Sequence, residues 1–120
     1  MNEKEVAEKW LLAFAEGVSE DDLNARVLSE HNFLWHIFSW ELVDCLEGNE
    51  AREAFNALNY KHAIRFKSGY VTEGYPQILE MINIGKVRAE ELDEAKDIYV
   101  MDPDFTWTYV HTHEGDCGPY

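Results

Sequence analysis

The C-terminal run His111-Thr112-His113-Glu114-Gly115-Asp116-Cys117 gathers ligand-capable side chains within seven positions. In an extended strand alternate residues share a face, so the imidazoles of His111 and His113 could reach one ion. Gly115 permits a tight turn that returns Asp116 or Cys117 to the same place. The candidate metal set is therefore His111, His113 and Cys117, with zinc as the ion. Cys45, His31, His36 or His62 would be the distant complement. Against it, H-x-H-x3-C is not a closed zinc pattern, and two residues plus a loop do not define four ligands. The plainer reading has these histidines hydrogen-bonded at a strand end and Cys117 packed as a small apolar group. Beyond zinc at this segment, no cofactor is expected.

The same residues could form a nucleophilic pair, a thiolate with a histidine base oriented by Glu114 or Asp116. A dense negative field raises a thiol's pKa and works against the thiolate. The sequence contains no glycine-rich phosphate loop, no G-x-S-x-G elbow and no H-E-x-x-H helix. The balance leans away from an enzyme.

Acidity is the dominant feature. The 120 residues hold 24 Asp and Glu against 10 Lys and Arg, for a net charge of −14. Such a field opposes direct binding to nucleic-acid phosphates and to anionic membranes, and it suits a basic protein partner. Two acidic clusters stand out, Glu20-Asp21-Asp22 and the group Glu90, Glu91, Asp93, Glu94. With Trp40 as an aromatic anchor, they are the candidate binding residues. Glu41, Asp44, Glu47, Glu50 and Glu53 recur every third position. Steps of three drift around a helix and Gly48-Asn49 interrupts them, so they read as a solvated surface rather than one row. Lys61, Arg65 and Lys67 fall on one strand face, too small a basic stripe for a nucleic-acid footprint and suited to salt bridges with the acids.

These side chains need elements to hold them. A 46% apolar content with 13% aromatics argues for a packed core despite the charge. The length suits one domain, 1–120. An amphipathic helix is expected over about 3–16, capped by Asn2, with Val6, Trp10, Ala13 and Phe14 facing the core and Gly17 ending it. Ser19 and Asp22 form a second capping pattern. Residues 32–40 read as a strand from their aromatic and β-branched content, with helix as the alternative because both faces are apolar. Asn49 is expected to cap a helix whose Ala51, Ala54, Phe55 and Leu58 follow helical spacing. Residues 60–67 alternate as a half-buried strand, and 77–84 form a second. A short acidic helix over 89–95, a strand over 97–101, a turn at Asp102-Pro103-Asp104 and a returning strand over 105–113 complete the chain. The fold class is α+β, an antiparallel sheet of about four to five strands packed against N-terminal and central helices.

Leu34-Trp35-His36-Ile37-Phe38-Ser39, Cys45-Leu46-Glu47-Gly48, Ala51 and Ala54-Phe55-Asn56 form one set of motifs. Asp97-Ile98-Tyr99-Val100, Asp104-Phe105-Thr106-Trp107-Thr108, His113-Glu114 and Cys117-Gly118-Pro119-Tyr120 form another. Over most of residues 31–120 these resemble a family of short bacterial proteins of unknown function, found mainly in Gram-positive bacteria. That resemblance implies a bacterial, cytoplasmic setting and transfers no reaction. The last twenty residues also resemble acidic bacterial proteins associated with immunity to toxins. No basic n-region followed by an apolar stretch opens the chain, and two cysteines do not make a disulfide framework, which fits a cytoplasmic location. The expectation is an acidic protein-binding module, immunity- or inhibitor-like, with a small metal- or cysteine-dependent enzyme as the alternative. A third reading is an acidic soluble protein whose charge has no partner.

Overall fold

A computed structural model describes residues 3–29, 33–39, 41–72, 75–93, 97–112 and 116–117. The expectations placed on Asn2, His31, Trp40, Glu94, His113 and Glu114 lie outside the described residues.

Four helices come first: α1 (Glu3–Phe14), α2 (Glu20–Arg26), α3 (His36–Ser39) and α4 (Gly48–Ala57). Five strands follow: β1 (His62–Thr72), β2 (Tyr75–Gly85), β3 (Ile98–Met101), β4 (Thr108–His111) and β5 (Asp116–Cys117). They form one antiparallel sheet in the order β2-β1-β3-β4-β5. The fold is α+β, with its helices at the N-terminus and in the middle, as the sequence pattern indicates.

The local causes are visible in the caps and turns. Gly17 sits at φ +86° just beyond α1, where a Cβ would be strained. The Ser19 hydroxyl accepts the backbone N–H of Asp22 at 3.2 Å and starts α2, the cap expected from sequence. Glu47, not Asn49, is the N-cap residue of α4, and Gly48 at φ +58° turns the chain into the helix. Along α1, Val6, Trp10 and Phe14 are buried as expected, but Ala13 faces water and Ala7 and Ala15 take its place.

Residues 33–39 form no strand. Turn-type bonds from His36, Ile37 and Phe38 back to Phe33, Leu34 and Trp35 wind them into α3. Phe33, Leu34, Trp35, Ile37 and Phe38 are all buried, so no single face had to be solvated and alternation carried no information. Three other boundaries contract. The expected helix over 89–95 is a one-turn 3₁₀ helix, Ala89–Leu92. Asp97 precedes β3 at φ +51°, and the return strand starts at Thr108 rather than at Phe105, which lies at φ +57°. Asp102 delays that strand, because its carboxylate accepts the N–H groups of Thr106 and Trp107 at 2.6 and 3.1 Å.

The sheet is covered on both faces. Ile64, Phe66, Tyr99, Met101 and Val110 face α1, α2 and α3, packing with Val6, Trp10, Val27, Leu34, Ile37 and Phe38. Ala63, Ile98, Val100 and Tyr109 face α4 and the 3₁₀ helix, packing with Ala51, Phe55, Ala89, Leu92 and Trp107. β1 alternates as expected from Ile64 to Lys67, with Ile64 and Phe66 buried and Arg65 and Lys67 partly exposed, but Ala63 is buried as well. The reason is that α4 covers the face that would otherwise meet water. β3 is buried at all four positions, as a central strand between two layers should be.

Candidate functional site

Two of the sequence motifs meet beside β3. The Trp35 indole N–H donates to the Asp97 carboxylate at 2.8 Å, and the Trp35 backbone N–H donates to the Tyr99 hydroxyl at 3.0 Å. Asp97 is 8% exposed and Tyr99 fully buried. Burial pushes the Tyr99 phenol well above its ordinary value, with the Asp97 charge adding to the rise. Phe33 stacks on Trp35 at 5.6 Å between ring centroids, and the His36 ring lies 4.3 Å from Trp35. The His36 ring shares a hydrogen bond with Ser39 at 2.7 Å. This arrangement clamps α3 to the sheet. It presents no open nucleophile, because the Tyr99 hydroxyl is buried and engaged.

The acidic residues divide into two populations. Glu90, Glu91 and Asp93, all candidate binding residues, are already engaged inside the molecule. Arg52 of α4 forms a two-pronged pair with Asp93, one arm at 2.9 Å, and approaches Glu90 at 3.9 Å. Arg88 lies 3.1 Å from Glu90, while Glu91 accepts the Arg88 backbone N–H at 2.7 Å in a capping box. Asn56 donates to Glu90 at 3.2 Å and accepts the Ala89 N–H at 2.7 Å. The hydrogen bond from Arg52 holds the Asp93 carboxyl below its ordinary value of 3.8. Glu90 is also lowered, first by its own backbone N–H and then by Asn56 and Arg88.

The second population is unneutralised. Among the described residues, Glu20, Asp21, Glu41, Asp44, Glu47, Glu50 and Glu53 are exposed and form no ion pair. Asp22 of the same cluster reaches Arg26 at 4.0 Å along α2. Leu23 on α2 and Leu42, Val43 and Cys45 after α3 pack on the same core layer. The exposed acids of α2 and of residues 41–47 therefore flank one part of that layer. Of the basic stripe, Arg65 and Lys67 both pair with Glu80 of β2, at 2.6 and 3.8 Å, rather than with either acidic cluster.

Of the candidate metal residues, His113 lies outside the described residues. His111 is half-buried on β4, with its Nε2 3.8 Å from Asp93. The β4–β5 register sets Asp116 opposite His111, and Cys117 opposite Val110. Cys45 lies far back in sequence, packed against the α1–α3 layer. No group of three His, Cys, Asp or Glu side chains suited to a metal ion occurs among the described residues.

The motifs joined at Trp35 and Asp97 both fall within a single family match that spans residues 4–120, to a domain of unknown function, DUF4275. The chain belongs to the DUF4275 family. No curated protein and no solved structure matches it. No helix among the described residues is long and apolar enough to cross a membrane. In this DUF4275 domain, sequence reasoning missed Arg52, Arg88 and Asn56, the groups that engage one acidic cluster. A signal existed for the first of these. Arg52 is the sole basic residue between positions 41 and 60, and a lone cation in an acidic helix implies an acidic neighbour from elsewhere in the fold.

Proposed function

We propose that this DUF4275 chain is a protein-binding module, inhibitor- or immunity-like, that neutralises a basic partner. The partner docks on the exposed acids of α2 and residues 41–47. The observation that carries the reading is the division of the acids: Glu90 and Asp93 are neutralised by Arg52 and Arg88, whereas Glu20, Asp21 and the acids of 41–47 are exposed and form no ion pair among the described residues. Closely spaced unneutralised carboxylates repel one another, and a cationic surface relieves that repulsion on binding. Complementary charge speeds the encounter and selects the partner. The role of the 89–93 segment, first expected to share in binding, becomes structural in this reading.

The test is retention of a basic protein from the native host on the immobilised chain across a salt series. Glu20→Lys with Asp21→Lys should abolish retention, and Glu8→Lys on α1 should leave it unchanged. Absence of any retained basic protein at low salt, or equal retention by all variants, rejects the reading.

A further inference from the structure

The chain's two cysteines, Cys45 and Cys117, lie far apart in sequence, and the fold carries both to one corner of the sheet. Cys45 belongs to the connection between α3 and α4. α3 packs on the sheet face of Phe66 and Tyr99, whereas α4 packs on the opposite face, with Val100 and Tyr109. The connection therefore has to pass around the margin of the sheet, and its two ends show where. Trp35, just before α3, is bonded to Asp97 at the entrance to β3. Arg52 of α4 is paired with Asp93, which lies 3.8 Å from His111 at the end of β4. Ile98 and His111 are register partners, and Asp116 of β5 is the next partner across. β5 in turn lies against α4. Residues 41–47 thus round the sheet at the corner occupied by β5.

The two cysteines also belong to one layer. Cys45 is half-buried and packs on the cluster that contains Val110. Cys117 is the register partner of Val110 on β5. Positions directly opposite in an antiparallel pair share a face, so position 117 lies on the face where Cys45 packs. Position 116 lies on the other face, that of His111.

β5 itself is only the two residues Asp116–Cys117, joined to the sheet through Val110 and His111. So short a strand gains more than most elements from a covalent tie. The chemistry around Cys45 selects the reagent that could make one. Its thiol donates to the Glu47 carboxylate at 3.9 Å, and Asp44 precedes it in the chain. Adjacent carboxylates oppose formation of the thiolate and repel anionic reagents, so a cationic disulfide is the better oxidant.

We propose that Cys45 and Cys117 form a reversible redox pair, whose disulfide ties the 41–47 connection to β5. The oxidant is a low-molecular-weight disulfide. One cysteine thiolate attacks it, forms a mixed disulfide and expels one small thiol. The second cysteine then attacks the protein sulfur of that mixed disulfide and expels the other small thiol. Two protein thiols are thereby oxidised by two electrons, and one small disulfide is reduced to two thiols. The device goes beyond the docking reading and does not rest on it.

Equilibration of the intact chain with cystamine and cysteamine at varied ratios, followed by alkylation and peptide mass mapping, tests the pair. A peptide joining Cys45 to Cys117 within one chain is expected, and dithiothreitol should reverse it. The oxidised chain should unfold at a higher urea concentration than the reduced one, because the bridge constrains the unfolded state. Cys45→Ser and Cys117→Ser should each stop at a single cysteamine adduct, with circular dichroism confirming that both variants fold. Separate cysteamine adducts on both cysteines of the parent chain, or bridges only between chains, overturn the proposal. So does an oxidised form that unfolds at lower urea than the reduced one, since that would mark a bridge the fold has to distort to accommodate.

Discussion

The two layers on either side of the sheet are both aromatic, yet they are held by different forces. On the α1–α3 side, large rings carry directed hydrogen bonds into the sheet. Trp10 donates its indole N–H to the Thr108 hydroxyl at 3.0 Å, Thr108 donates onward to Val100, and Trp35 grips Asp97 and Tyr99. Trp10 also meets Tyr99 and Phe38 edge-on. On the α4 side the central rings stack: Phe55 lies parallel to Tyr109 at 4.3 Å, with Trp107 at 6.0 Å, while the half-buried Tyr60 at the margin donates to the Val87 carbonyl and accepts the Val87 N–H, both at 3.2 Å. Its polar contacts sit at the rim, in Arg52–Asp93 and in Asn56 with Ala89 and Glu90. Directed bonds specify one arrangement of α1 and α3, whereas stacked rings and rim charges supply area with less geometric demand.

That contrast can be broken most severely at its two largest anchors. Trp10→Ala and Phe55→Ala should each cost about 3–5 kcal/mol of unfolding free energy in urea titrations. Trp10 should lie at the upper end, because its loss removes an indole hydrogen bond as well as volume. Equal losses would mean that the hydrogen bond contributes nothing beyond packing.

A subtler pair of substitutions separates directed bonds in the two layers. Trp35→Phe keeps most of the ring and deletes the donor to a nearly buried carboxylate, at a cost of about 2 kcal/mol. Asn56→Ala, in the half-exposed rim, should cost about 1 kcal/mol. The same denaturation curves measure both, and a larger loss at Asn56 would invert the comparison.

The smallest effect is electrostatic. Arg52 holds the folded-state pKa of Asp93 below its unfolded value of 3.8. A depressed carboxyl contributes stability above the unfolded pKa and loses it as pH falls through the folded one. Melting temperature should therefore decline as pH falls through and below 3.8, and Arg52→Gln should flatten part of that decline. An unchanged slope would show that the rim pair is fully screened, as exposed pairs often are.

How much of this was legible beforehand follows from the range of the interactions. The Ser19 cap, the turn at Asp102 and the spacing of Ala51, Ala54, Phe55 and Leu58 are local, and each was read correctly from neighbours a few residues apart. Over residues 33–39 the strand reading gave way to its helical alternative, because burial on every side erases the periodicity that distinguishes the two. The candidate site fared less evenly. The Glu20-Asp21-Asp22 cluster is exposed as expected, while the cluster at 90–93 proved to be engaged by Arg52, about forty residues earlier in the chain, and by its neighbour Arg88.

By itself, then, the sequence determined the α+β class, the Ser19 cap and the acidity, all of which depend on composition or short-range spacing. Tertiary structure alone decided that the sheet is covered on both faces, that Trp35 meets Asp97 62 positions away, and which acids form no ion pair among the described residues. Those outcomes depend on which distant residues a fold brings within hydrogen-bonding or Coulombic reach. No short-range pattern encodes that, because the same acidic stretch reads identically whether or not an arginine lies against it.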